Sequence, residues 1–201
     1  MSQKRVPAIF MRGGSSKGVF FHSSDLPEEK NSWDELFLSV LGSPDPYGRQ
    51  LNGMGGGISS LSKAVVISPP TRLDADVDYT FAQISVKDSV VDYSSNCGNL
   101  SSAVGPFAID TGLVDASGMN KEVRIHNTNS GKLIVSKVPL RDGLSEVVGD
   151  FSIPGVSGTG AKVQLDFLDP GGTRTGSLLP TGNTVDIITL PNAGDFEVSL
   201  V

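Results

Sequence analysis

Cysteine is almost absent from this chain: Cys97 is the single one among 201 residues. One cysteine rules out an internal disulfide and fits a reducing compartment, so a cytoplasmic protein is expected. Histidine is nearly as scarce. His22 and His126 stand far apart without metal-ligand spacing, and both read as surface or hydrogen-bonded structural side chains, so no metal is expected. Long apolar runs are missing too: nothing approaches the roughly 18 residues of a membrane span. The opening Met1-Ser-Gln-Lys-Arg5 has no signal-peptide core. Basic stripes are lacking, since the net charge of −6 is spread along the chain, which removes the footprint of a nucleic-acid binder. The phosphate-loop spacing is not met by Arg12-Gly-Gly-Ser-Ser-Lys-Gly18, nor the dinucleotide fingerprint by Gly53-Met-Gly-Gly-Gly57. Nucleotides are excluded.

Glycine is plentiful, with 24 residues, and the hydrophobic fraction is 38%. That suits a turn-rich, mostly β protein with one substantial core or two small ones. Residues 6–12 and 18–23 read as a hairpin joined by Gly13-Gly-Ser-Ser16. A short helix is expected over 32–42, with Ser32 as N-cap, Glu35 completing a capping box and Gly42 as the stop. Residues 43–57 form an irregular loop of a length that often carries function. Strands follow at 63–68 and 76–86. Val77, Tyr79, Phe81 and Gln83 lie on one face of the second, and Asp76 and Asp78, with Asp74, on the other. The aspartates read as solvated surface; a metal site is the sharper alternative, but no His or Glu partner is spaced to complete it.

A strand-like segment (86–93) leads into Tyr93-Ser-Ser-Asn-Cys97-Gly-Asn99 and then an apolar helix over 98–112. Ser94, Ser95, Asn96 and Asn99 are cap candidates, and Pro106 predicts a kink or an early stop. The helix is apolar nearly all round, as a helix enclosed by sheet should be. Strands are expected at 122–128, 132–140, 146–153, 161–168, 184–190 and 195–201. Turns at Asn129-Ser-Gly, Asp142-Gly, Pro154-Gly, Pro170-Gly-Gly and Asn192-Ala-Gly separate them. The fold class is therefore α+β, a mostly antiparallel sheet wrapped around one central helix.

Two residues invite chemistry. Cys97 at a helix N-terminus would meet unpaired N–H groups and the positive end of the dipole, which favour a thiolate or a bound carboxylate. The alternative is a buried cysteine serving as a small hydrophobe. Lys63 opens the apolar run Ala64-Val-Val-Ile67, where desolvation would favour the neutral amine; the alternative is an edge lysine with its head in water.

A resemblance decides between these readings. Ser95-Asn-Cys97-Gly-Asn99 resembles the Cys-Gly-Asn element of the diaminopimelate epimerase-like fold, in which a cysteine at the tip of a central helix moves a proton. Met11-Arg-Gly-Gly-Ser-Ser-Lys-Gly18, Gly53-Met-Gly-Gly-Gly-Ile-Ser-Ser-Leu-Ser-Lys63 and Leu179-Pro-Thr-Gly-Asn183 are together similar to the 2-methylaconitate cis-trans isomerase family, which includes methylitaconate and oxalomesaconate isomerases. The resemblance implies a cofactor-independent isomerase of an unsaturated tricarboxylate, with Lys63 as principal base and Cys97 as opposing acid/base. The ligand carboxylates would be held by Arg12, Gly14, Ser15, Ser16, Gly56, Gly57, Ser60, Gly98 and Asn99. Ser15 departs slightly, since the family often has threonine there. The resemblance further implies a polycarboxylate as partner, with room for a homodimer and for a functional link to an iron–sulfur dehydratase. It reads residues 1–201 as the first of two pseudo-symmetric domains, the second lying beyond Val201. A carboxylate-binding accessory protein for a dehydratase is the reading from another class.

Overall fold

The computed structural model describes residues 3–169, 171 and 176–199. The predicted turn at Pro170-Gly-Gly falls largely outside the described residues, as do the last two positions of the 195–201 strand. The chain divides into two compact units, Met1–Asp166 and Phe167–Val201.

In chain order the larger unit contains β1 (Ile9–Gly13), β2 (Ser16–His22), α1 (Asn31–Leu41), β3 (Lys63–Ser68), β4 (Val77–Ile84) and β5 (Val91–Asp92). It continues with α2 (Gly98–Asp110), β6 (Asn120–Asn127), β7 (Lys132–Arg141), β8 (Leu144–Ser145) and all but the last residue of β9 (Gln164–Phe167). The strand order is β1-β2-β3-β4-β6-β7-β8, with β5 on β4 and β9 on β7. Most pairs are antiparallel, but β2/β3 and β4/β6 run parallel. α2 packs against β1 and β2 near one edge of this order and against β7 and β8 at the other. A flat sheet could not present both edges to one helix, so the sheet curls around α2.

Both faces of the central strands are covered. Phe20, Val65, Ile67, Tyr79 and Phe81 point to α2, joining Leu100, Val104 and Phe107. Their neighbours Val19, Phe21, Ala64, Val66, Ala82 and Ile84 point the other way, onto Trp33, Phe37 and Leu41 of α1. This explains why 63–68 is a continuous apolar run rather than an alternating one. Gly105 lets α2 approach β7: a Cβ there would stand 2.6 Å from Ser136 Oγ.

Several expectations need correction. Ser32 is not an N-cap. The helix already begins at Asn31, its cap position Lys30 is helical and no side chain caps it. Ser32 N–H instead donates to Glu29 C=O at 2.9 Å, continuing the preceding turn. Gly42 does end α1 in the left-handed conformation, with φ 74°. Pro106 neither stops α2 nor coincides with its end, because the helix continues to Asp110. Of 86–93, only Val91–Asp92 is strand.

Asp78 is not solvated surface. It is buried, accepts from Thr71 N–H and Oγ1–H, and lies 2.9 Å from His126 Nδ1. Asp76 pairs with Arg124. Residues 146–153 form no strand. The Glu146 carboxylate accepts the Val147 and Val148 N–H groups that a ladder would need, and only Phe151 bridges to Gly160. The predicted 161–168 strand shortens to Gln164–Phe167. The turns at Asn129-Ser-Gly and Asp142-Gly are present; Asp142 and Gly143 both have positive φ, as that turn requires.

The smaller unit is a hairpin of β10 (Asp186–Leu190) and β11 (Gly194–Val198) joined at Asn192-Ala-Gly. Thr181 and Asn183 donate to the Asp186 carboxylate, which fastens the Leu179-Pro-Thr-Gly-Asn183 turn. No helix among the described residues is long and apolar enough to cross a membrane.

Candidate active site

The N-terminus of α2 is the point on which the predicted residues converge. Cys97 itself is the cap residue, extended at φ −109° and ψ 99°, and no side chain caps the helix. Among the described residues no acceptor takes the first N–H groups of α2, which leaves them to solvent or to a ligand. Cys97 is half-buried against the α2-facing core, and its thiol points at the buried Ser16 hydroxyl, 3.9 Å away.

The β1–β2 turn presses on this same end. Gly14 adopts φ 54°, and any Cβ on it would collide with the Asn99 side chain. Arg12 Nη1 donates to Gly14 C=O at 2.6 Å, placing an exposed guanidinium beside the turn. Ser15 stands exposed at the tip. Arg12, Gly14, Gly98 and Asn99 border a cleft of about 360 Å³, whose apolar wall includes Met11 and Pro106. Lys63 and Cys97 lie outside that cleft's lining, so its volume is not by itself the reacting centre.

Lys63 opens β3 on the sheet face that carries α2. A Cβ on Gly18 would touch both Leu100 of α2 and Lys63, so this glycine creates the gap between strand and helix into which the lysine fits. Only 6% of Lys63 is exposed. Its ammonium donates to Gln83 Oε1 and sits 5.2 Å from the centroid of the Phe81 ring. Burial pulls its pKa below the ordinary 10.5, and the charge of a nearby Cys97 thiolate acts in the opposite sense. The two predicted reacting groups are thus within electrostatic reach of each other.

Gly56, Gly57 and Ser60 are placed differently. Their loop is tied to a buried hub, Gln50, whose Oε1 accepts from Gly57 N–H and from the Ser62 hydroxyl while its Nε2 donates to Ser43. Gly55 and Gly56 donate their N–H groups to Leu41 and Leu61 C=O. These glycines are needed because Gln50, Leu61 and Gly48 crowd their Cβ positions. Their N–H groups are bonded inside the protein. Ser60 is half-buried in the 3₁₀ turn Ser59–Leu61 just before Lys63.

The residues that hold the Cys97 segment were not singled out from sequence. Asn129 imitates a strand: its Nδ2 donates to Phe81 C=O and Tyr93 C=O, and its Oδ1 accepts Phe81 N–H, all at 2.8 Å. Asn127, fully buried, reaches Asn96 at 3.4 Å. Tyr93 Oη–H donates to Asp34 of α1 at 2.7 Å; burial and that carboxylate push its pKa up. The Tyr79 phenol is buried facing Ser101 and Cys97 without a partner in hydrogen-bond geometry among the described residues, and burial drives its pKa up as well. Asn129→Ala is expected to lower stability by about 1–3 kcal/mol in urea denaturation, because it strands buried backbone groups. An unchanged midpoint would mean that water replaces the amide.

The family model described as PrpF protein matches residues 3–201. The chain belongs to the PrpF protein family. Its relatives include the 3-methylitaconate isomerase of Eubacterium barkeri, 49% identical over 99% of this chain and 52% of that protein. The 2-methyl-aconitate isomerase of Cupriavidus necator is 47% identical over 99% of the chain and 53% of the relative. The 4-oxalomesaconate tautomerase of Pseudomonas putida is 47% identical over 94% and 52%. A crystal structure of methylitaconate-delta-isomerase superposes with a TM-score of 0.87 at 49% identity, over 99% of this chain and 51% of that one. A probable proline racemase, 13% identical over 96% of this chain and 48% of that one, gives 0.55 and shares the fold alone. The fold is that of the epimerase-like α+β proteins. This PrpF-family chain spans about half the length of the curated relatives it matches.

Proposed function

We propose that this chain carries the acid/base centre of a cofactor-independent isomerase, one that moves a proton in 2-methylaconitate or a related unsaturated di- or tricarboxylate. The observation that carries the reading is Lys63, a desolvated amine paired with a neutral amide and within reach of Cys97 at an uncapped helix N-terminus. Methylitaconate and oxalomesaconate are the alternative substrates, in keeping with the named relatives.

Such a reaction removes a proton next to a carboxylate and returns one at a conjugated carbon. The carbon acid is weak, so a base must stand on the correct face and positive potential must meet the enolate-like anion. A positioned base supplies ~10²–10⁴-fold; preorganised donors supply much of the rest. Lys63 takes the proton in this scheme and Cys97 delivers one from the opposite side. Arg12 and the free N–H groups of Gly98 and Asn99 hold carboxylates. The chain's net charge of −6 makes that local positive potential necessary, because the overall field opposes an anionic ligand. We place the protein in the cytoplasm, where its single thiol stays reduced. A homodimer and a link to an iron–sulfur dehydratase belong to the same reading.

Proton NMR in D₂O tests it. The protein at its full native length is given a panel of unsaturated di- and tricarboxylates while vinyl, methylene and methyl signals are followed. Isomer formation or signal loss with one of them is the expected result. Ligand binding without any exchange would replace the isomerase with a carboxylate-binding accessory role.

A further inference from the structure

Gln83 is the one polar residue closing the apolar face of β4, after Val77, Tyr79 and Phe81. It lies directly across from Lys63 in the β3–β4 register. Its amide can be oriented in one way only. The nitrogen donates to Ser59 C=O at 3.1 Å and Ser62 C=O at 2.9 Å, and both are acceptors. The oxygen must therefore face Lys63. An oxygen fixed there accepts one N–H of the amine in either protonation state, which stops rotation about the terminal bond. The lone pair of the neutral amine then points away from Gln83.

The partner's lack of charge matters as much as its position. A carboxylate beside a buried lysine would hold it as ammonium. Among the described residues, the groups seen to act on this lysine are neutral except one. β4 offers Phe81 and Gln83, β2 lays Gly18 against its base, and Cys97 supplies a charge when ionised. Asp92, opposite Gln83 on β5, turns a carboxylate oxygen to the Ser94 N–H at 2.7 Å. The amide is also stiffly backed. Ser62, fully buried, donates through its hydroxyl to Gln50 Oε1 at 2.6 Å, so the turn that holds Gln83 is itself held by the Gln50 hub.

We propose that Gln83 is a positioning residue for Lys63, aiming the amine and, by being neutral, keeping it available as a base. This deepens the isomerase reading and rests on it for its catalytic meaning. The bond itself is a property of the chain whatever the reaction.

The test uses Gln83→Glu and Gln83→Met in the protein at full native length. Lysine-labelled NMR reports the titration of Lys63 directly, and the pH profile of kcat/KM reports it through turnover. Gln83→Glu is expected to move both the Lys63 titration and the acid limb upward together by at least about one pH unit. The neutral-pH rate should fall at least about 10-fold and recover at higher pH. Gln83→Met should lower kcat with little change in KM while leaving no upward movement of the titration. If the Lys63 titration matches wild type in Gln83→Glu, or if the lost rate does not return at high pH, Gln83 only clasps the Ser59–Ser62 turn and the proposal fails. If no carboxylate is turned over by the parent, the isomerase reading fails, while the NMR titration still decides the role of Gln83.

Discussion

Lys63→Met, in the protein at full native length, is expected to reduce turnover by about 10²–10⁴-fold and to raise the melting temperature at neutral pH. The first effect follows from removing the base. The second follows from burial: the folded-state pKa of Lys63 lies below 10.5, its ordinary value. Between those two values the unfolded chain binds more protons than the folded one, so stability rises with pH through that window. Below the window the amine is protonated in both states, and folding bears the full cost of burying the charge. Methionine has similar length and no charge to bury, so its advantage is largest below the window and fades as pH approaches 10.5. Thermal melts across that range check the sign. A lower melting temperature at pH 7 would show that the site holds a compensated ammonium, and Lys63 would be a poor base. Near-wild-type turnover would remove it from the mechanism altogether.

Gly13→Ala carries the second large effect. A Cβ at Gly13 would stand 2.5 Å from the Asn99 carbonyl oxygen and 2.9 Å from Leu100 Cα. Both are backbone atoms of the first turn of α2, so no rotamer change relieves the clash. The hairpin and the helix must separate. Overpacking of this kind costs about 1–3 kcal/mol, visible as a shifted denaturation midpoint. The functional loss should exceed what unfolding explains. Gly13 sits between Arg12, which the proposal gives a carboxylate, and the helix end bearing Cys97. A displacement of about 1 Å between such groups can cost ~10²-fold. Activity measured per folded molecule separates the two effects. A variant with unaltered stability and rate would mean that the turn is free to slide, and that the contact with α2 does not set the site.

Much of this molecule could be read before folding. Cys97 was placed at a helix tip by the cap-rich Ser94-Ser95-Asn96 ahead of an apolar run, and it is the cap residue itself. The enclosed helix followed from its apolar character all round, whereas the residues around Lys63 left it open between a desolvated base and an edge lysine, and only the family resemblance favoured the base. The glycine triplet Gly55–Gly57 was legible as unusual but not in its use. Glycines that admit a ligand and glycines that admit a glutamine look alike in sequence; here Gln50 and its neighbours fill the space. Asp78 looked like strand surface because its face alternates with Val77 and Tyr79. Only the Thr71 segment and His126, brought over that face by the fold, bury it. Residues 146–153 have the composition of a strand, yet a side-chain carboxylate takes the N–H groups.

What the sequence by itself determined is the local grammar: which segments are strands or helices, where turns fall, and which residue types stand at the head of each element. Those follow from periodicity and from the backbone freedom of single residues, both short-range properties. Tertiary structure alone decided that Lys63 is buried, that its partner is a neutral amide 20 positions away, and that Asn129, 32 positions after Cys97, braces the segment leading to it. The physical reason is that a pKa and a hydrogen bond depend on what is adjacent in space. The sheet closes around α2 only when β1 and β2 near one edge and β7 and β8 at the other meet the same helix.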